Sequence, residues 1–220
     1  VVAVDADHTL WSGVVGENGA DGVRIDEPYR VLQRALVEQE RCGRLVCLLS
    51  KNEEADVRAV FASRPEMVLQ WSDLVAHRVD WNPKPGNLRD LMSGLELGID
   101  SVLFLDDNPV ERALVRRMLP EVAVPELPDD PALYARTLLA AGYFEAIAFS
   151  SEDRQRAGYY QDNARRATLA KQTGDLGAYL ASLNMRLTLQ PFDATGRSRI
   201  AQLINKSNQF NLTTRRYTEA

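Results

Sequence analysis

Short, almost wholly apolar runs alternate with helical periodicity through residues 1–125, and this alternation restricts the fold more than any other feature. Val1–Val4, Arg44–Leu49, Met67–Gln70, Ser101–Leu105 and Val122–Val124 read as strands. Strands that are apolar at every position are buried on both faces, as in a parallel sheet covered by helices. Between them, Tyr29–Arg41, Glu53–Ser63, Gly86–Leu97 and Pro109–Leu119 repeat apolar residues at helical spacing. Asn52 is placed to cap the second of these helices, ahead of Glu53 and Glu54, which suit the positive end of a helix dipole. Asn108 is placed to cap the fourth, with Pro109 at its first position. The expected class is therefore α/β, with a parallel sheet of Rossmann-like type.

The text changes at Pro125, Pro128 and Pro131, which enclose Asp129 and Asp130 and mark a boundary or a sharp bend. Beyond it, Ala132–Ala140, Ser151–Thr168, Leu176–Leu183 and Arg197–Lys206 read as helices, and Met185–Pro191 reads as a strand. The expected organisation is a first domain over 1–125 and a smaller, mostly helical α+β C-terminal domain over 126–220. The chain opens inside an apolar strand, without an initiator Met or a basic leader, which predicts a piece of a longer protein with a truncated second domain. Lys and Arg number 26 against 31 Asp and Glu, a net charge of −5 that argues against a nucleic-acid partner. No apolar run approaches the roughly 18 residues a membrane helix needs. Two cysteines, Cys42 and Cys47, make no disulfide framework and point to a reducing, cytoplasmic setting.

The chemistry-bearing residues fall at strand and loop ends. The first strand runs into Asp5-Ala6-Asp7-His8-Thr9-Leu10-Trp11. The second ends in Ser50-Lys51-Asn52, and exposed amides at such a helix start suit a phosphate. Lys84 lies in the rigid loop Trp81-Asn82-Pro83-Lys84-Pro85, and a further strand ends in Asp106-Asp107-Asn108. In open α/β sheets, ligands bind at the carboxyl edge, where all of these residues belong. Clustered carboxylates raise one another's pKa unless a hard cation neutralises them, and Mg²⁺ takes one or two carboxylates together with phosphate oxygens. One acid can then attack phosphorus while a neighbour handles protons. A lysine and a hydroxyl hold the remaining phosphate oxygens.

This order of motifs resembles the haloacid dehalogenase superfamily. The resemblance implies Asp5 as nucleophile and Asp7 as general acid/base, with Thr9, Ser50, Asn52 and Lys84 around the phosphate. It implies Mg²⁺ held by Asp5, Asp106 and the backbone carbonyl of Asp7, with Asp107 supporting the metal. A narrower resemblance is to the FkbH-like branch found in polyketide biosynthesis. It rests on Asp7-His8-Thr9-Leu10-Trp11-Ser12-Gly13, Ser50-Lys51-Asn52, Trp81-Asn82-Pro83-Lys84 and Phe104-Leu105-Asp106-Asp107-Asn108-Pro109-Val110-Glu111-Arg112. It continues through Tyr143-Phe144-Glu145, Glu152-Asp153-Arg154 and Asn205-Lys206-Ser207-Asn208-Gln209-Phe210-Asn211. That branch implies glyceryl transfer from D-1,3-bisphosphoglycerate to the phosphopantetheine thiol of an acyl carrier protein, with dephosphorylation. Asn208 then belongs to the substrate-binding set. The alternative is a stand-alone phosphatase acting on a small phosphate ester or a phosphoprotein.

The stretch between Thr9 and the second strand is largely used by the helix Tyr29–Arg41, leaving only a flap over Ser12–Asp26, so the site is expected to be uncapped. An acyl-enzyme route needs a nucleophilic cysteine. Family members often carry one at the end of the second strand. Here that position is Leu49, and Cys47 lies two residues earlier on the same strand face. Cys47 is either this nucleophile, reaching the site from one step deeper, or a small buried apolar residue. Trp11 either walls the site or packs the flap, while His77 reads as a surface residue. Arg154, Arg156, Arg165 and Arg166 make one helix basic, as a solvated face or a dock for an acidic carrier protein.

Overall fold

Val2-Ala3-Val4 forms β1 at the centre of the sheet because all three side chains are apolar and buried. Around it lie β2 (Val46–Ser50), β3 (Leu74–Val79) and β4 (Leu103–Leu105) in the order β3-β2-β1-β4, every pair parallel. Val2 faces Val46 on one side and Leu103 on the other, and Val4 faces Leu48 and Leu105. The computed structural model describes residues 1–145, 155–173, 175–186, 188–189, 191, 196–206 and 218. Among them the helices are α1 (Val15–Gly22), α2 (Glu27–Arg41), α3 (Glu54–Ser63), α4 (Lys84–Gly94), α5 (Pro109–Met118), α6 (Tyr134–Ala140), α7 (Arg156–Thr173), α8 (Leu176–Ser182) and α9 (Arg197–Lys206).

Strand alternation divides the core into two layers. Val2, Val4, Val46, Leu48, Leu103 and Leu105 pack against Leu32 and Leu36 of α2 and Val57 and Val60 of α3, with Leu127, Tyr134 and Leu138 in the same layer. Ala3, Cys47, Leu49 and Phe104 pack on the opposite face against Leu88 and Leu91 of α4 and Val115 of α5. A parallel sheet with helices on both faces is the fold the alternating text predicts. The chain divides into two compact units, Val1–Gln172 and Thr173–Ala220. The first runs past the proline-rich segment where the sequence changes character. No helix of the described residues is long and apolar enough to cross a membrane.

Three sequence expectations change. Met67–Gln70 is not a strand; the third strand is Leu74–Val79. Met67 and Leu69 are buried as expected, but a side chain serves their backbone: Gln33 Oε1 accepts from the N–H groups of Val68 (2.8 Å) and Leu69 (3.1 Å). Its Nε2 donates to the Leu10 carbonyl at 2.8 Å. The true β3 is an edge strand that carries His77 and Arg78, so it lacks the all-apolar pattern of β1. Second, Val122–Val124 shrinks to a single parallel bridge between Ala123 and Leu103. Third, no described residue of 185–191 lies in a strand. Within the expected flap, the chain forms α1, broken at Gly19 by a φ of 69°.

Replacing Gln33 with leucine removes the partner of two loop N–H groups and one carbonyl in a region closed to water. An unpartnered buried polar group costs about 1–3 kcal/mol. Gln33→Leu is expected to lose roughly 3 kcal/mol in urea unfolding, with an unchanged m-value. A loss under about 1 kcal/mol would contradict this account.

Candidate active site

Each strand delivers its polar residue as it leaves the sheet. Asp5 follows β1, Ser50 ends β2, Lys84 opens α4 after β3, and Asp106 follows β4. Asp5 is held to β4 by its own N–H, which donates to the Leu105 carbonyl at 2.9 Å. Lys84 is fixed by its loop. Asp80 Oδ1 accepts from the Asn82 N–H (2.8 Å) and from Asn87 Nδ2 (2.7 Å), and Pro83 and Pro85 flank the lysine. The Lys84 ammonium, almost wholly buried, sits 3.0 Å from Asp5 Oδ2 and 2.5 Å from Asp106 Oδ2. Residues far apart in sequence therefore meet at one carboxyl edge.

Asp5, Asp106 and Asp107 each present a carboxylate oxygen within 4.8 Å of the others. At that separation two carboxylates repel by about 3 kcal/mol at an effective dielectric of 20. Burial, with the Asp5 charge beside it, pushes Asp106 up to about 7, against the pull of Lys84 and the Asn108 N–H. Burial and Asp5 also raise Asp107, opposed by the Thr9 hydroxyl. Burial alone would lower Lys84, but the charges of Asp5 and Asp106 outweigh it and its pKa rises. Among the described residues Asp5 Oδ1 is buried without a hydrogen-bond partner. One lysine against three acids, with an orphaned carboxylate oxygen among them, is a donor set that fits a small divalent cation with oxygen preference.

Asp7 is held by three donors. Its Oδ1 accepts from the Trp11 indole N–H at 2.8 Å and from the Val15 N–H at the start of α1 at 3.1 Å, and its Oδ2 accepts from Asn52 Nδ2 at 2.9 Å. Asn52 also donates to Ser50 Oγ at 3.1 Å. This corrects the expectation for Asn52: α3 is capped by Glu53 without a side-chain bond, and Asn52 instead ties the second strand end to Asp7. Asn108 does cap α5, accepting from the Val110 N–H. Thr9 grips Asp107 in both directions, donating to Oδ1 and accepting from its N–H, each at 3.1 Å. Trp11 is fully buried and so both packs the flap and orients Asp7.

Cys47 lies outside this constellation. It belongs to the α4–α5 layer with Leu49, whereas Ser50 shares the strand parity of Val46 and Leu48. Burial pushes its thiol up to about 12. His77 is half-buried rather than on the surface, with its ring 4.8 Å from that of Trp71 and its Nε2 3.3 Å from Glu54. Asn208, Gln209, Asn211 and Arg154 lie outside the described residues. Sequence reasoning missed the Asp7 clamp and the role of Arg112, which donates to the carbonyls of Asp106 and Asp107. For the clamp, the spacing of Asp7 and Trp11 within one loop was the available signal.

The parallel sheet and its helices on both faces define a Rossmann-like α/β domain with the site residues gathered at its carboxyl edge. The chain is similar in structure to the N-terminal part of the protein BF1531 from Bacteroides fragilis, described as containing a phosphatase domain and complexed with Mg. The likeness has 36% identity and a TM-score of 0.65, and covers 67% of this chain and 41% of that one. The chain thus spans about two fifths of the length of that N-terminal part. A second likeness, to a HAD-like phosphatase from Mesorhizobium loti, has 12% identity and a TM-score of 0.44, covering 67% of this chain and 88% of that one. No protein-family profile and no curated protein sequence matches the chain.

Proposed function

We propose that the chain is a Mg²⁺-dependent phosphoryl-transfer enzyme that removes phosphate through Asp5. The observation that carries this reading is the cluster of buried Asp5 and Asp106 and half-buried Asp107 against Lys84, with Asp5 Oδ1 unpartnered among the described residues. The Mg-bound phosphatase domain of BF1531 supports it. Asp5, Asp106 and Asp107 would hold the ion, which when bound neutralises phosphate charge at the carboxyl edge. An Asp5 oxygen bonds to phosphorus as the ester O–P bond breaks. Asp7 gives a proton to the departing oxygen, then takes one from the water that cleaves the aspartyl phosphate. Asn52 donates to the Ser50 oxygen, which leaves the Ser50 proton for a phosphate oxygen. Lys84 supplies fixed positive charge beside the nucleophile.

The fuller reaction follows the FkbH-like motifs. D-1,3-bisphosphoglycerate donates its acyl group to the phosphopantetheine thiol of an acyl carrier protein. The thiol sulfur bonds to the acyl carbon, the acyl C–O bond to phosphate breaks, and the thiol proton leaves with the phosphate. The remaining phosphate ester is then cleaved through Asp5. The burial of Cys47, with its thiol at about 12, favours direct attack by the carrier thiol over a route through Cys47. The same burial favours the second reading, a stand-alone phosphatase acting on a small phosphate ester or a phosphoprotein.

Intact mass spectrometry with D-1,3-bisphosphoglycerate, Mg²⁺ and a holo carrier protein separates the two. A glyceryl adduct on the carrier supports the transferase. Phosphate release without any adduct, in the presence of an active cognate carrier, leaves the phosphatase. Cys47→Ala is expected to keep both rates within about twofold of wild type, since the thiol is protonated far above neutral pH. A loss of adduct formation in a folded Cys47→Ala protein would restore Cys47 to the mechanism.

A further inference from the structure

Arg112 is almost fully buried on the second turn of α5, and its guanidinium points back past the helix start. One terminal nitrogen, Nη1, donates to the carbonyl of Asp106 at 2.8 Å and to that of Asp107 at 2.5 Å. The other, Nη2, donates to Glu126 Oε1, and the second oxygen of Glu126 accepts from Arg116. The inner end of this pair is 4% exposed and the outer end 64%. Arginine is the side chain suited to this arrangement, because its planar fork reaches two carbonyls and a carboxylate at once. Lysine presents a single compact ammonium and cannot span them.

The two carbonyls belong to two of the three acids in the cluster. Their carboxylates have local partners as well. Asp106 Oδ1 accepts from the Asn108 N–H at 2.9 Å, and Asp107 Oδ1 accepts from Thr9. The Asp107 N–H, in the plane of the Asp106 carbonyl, donates to Thr9, and the Asn108 N–H, in the plane of the Asp107 carbonyl, donates to Asp106, so each plane is pinned at its N–H end from the site and at its carbonyl end by Arg112. Rotating either plane swings its Cα–Cβ bond and carries the carboxylate away from Asp5.

We propose that Arg112 is a positioning residue for the cation site. By fixing the carbonyls of Asp106 and Asp107 it turns both carboxylates toward Asp5, with Glu126 as its outer anchor. This rests on the reading that the acid cluster binds Mg²⁺. Residues behind a ligand set change metal affinity by 10- to 100-fold in general, and Arg112 acts at that remove.

The test is a Mg²⁺ titration of the full chain by isothermal calorimetry, without substrate, well below the melting temperature. Arg112→Lys is expected to raise the Mg²⁺ Kd at least about tenfold, and Glu126→Gln about two- to threefold. In turnover with a phosphate ester, Arg112→Lys should recover kcat to within about twofold of wild type at saturating Mg²⁺. A residue that merely held the fold together would lower Tm and leave the Kd of the folded protein alone. A folded Arg112→Lys protein with the wild-type Kd overturns the proposal. If that variant does not fold, Glu126→Gln and Glu126→Ala decide, and an unchanged Kd in both overturns it equally. A wild-type chain that binds no Mg²⁺ overturns the proposed function and this inference with it. Wild-type binding that Arg112→Lys leaves unaltered overturns the inference alone.

Discussion

Replacing Asp5 with asparagine is expected to lower phosphate release by at least about 10³-fold, on the order of 4 kcal/mol in the barrier, while the protein stays folded. The amide keeps the size of the carboxylate and can still accept from Lys84. The backbone bond from Asp5 to Leu105 is untouched. What disappears is the attacking oxygen and one of three clustered negative charges. Removing that charge relieves Asp106 and Asp107, both of which are raised in part by Asp5. The metal-free variant should therefore melt at or above the wild-type temperature, an active-site group having been held at a cost to stability. Steady-state kinetics and calorimetry on the same samples check both halves. Turnover above a tenth of wild type would remove Asp5 as nucleophile, and a Tm lower by several degrees would contradict the charge-repulsion account.

The residues legible in the sequence are those whose position follows from strand and loop ends. Asp5, Ser50 and Asp106 each terminate or follow an apolar run, so the parallel sheet brings them to one edge, and Lys84 is marked by its proline-flanked loop ahead of a helix. Strand alternation also placed Cys47 and Leu49 on a common face. Side chains that replace backbone partners were not legible in this way. Gln33 satisfies the N–H groups of Val68 and Leu69, so a buried apolar run exists without a strand. Asn52 looks like a helix cap because it precedes two glutamates, yet its amide goes to Asp7 and Ser50. Arg112 is the extreme case. It follows the acids it serves and reaches backwards past the helix start, a direction that periodicity does not encode.

Lys84→Met tests the electrostatic logic from the opposite side. Methionine fills nearly the same volume, but it leaves Asp5 and Asp106 buried without their cation. Breaking a buried pair by removing one partner typically costs about 3–5 kcal/mol, and a loss of that size is expected in urea unfolding at pH 8. The sign with pH follows from Asp106. Its folded pKa, about 7 in the wild type, lies above the ordinary value of 3.8, so the native state holds a proton that the unfolded chain has released. Stability from this group is fully present below about pH 3.8 and is lost as pH rises through about 7. Without Lys84 the folded pKa moves higher still, because the lysine is among the groups that lower it. The penalty of Lys84→Met should thus shrink on going from pH 8 to pH 5, as Asp106 takes up a proton in place of the ammonium. Mg²⁺ at pH 8 should restore part of the lost stability by occupying the same carboxylates, and turnover should remain at least about 10²-fold down because the fixed charge beside the nucleophile is gone. A destabilisation equal at pH 5 and pH 8, and indifferent to Mg²⁺, would mean that Lys84 contributes packing rather than charge.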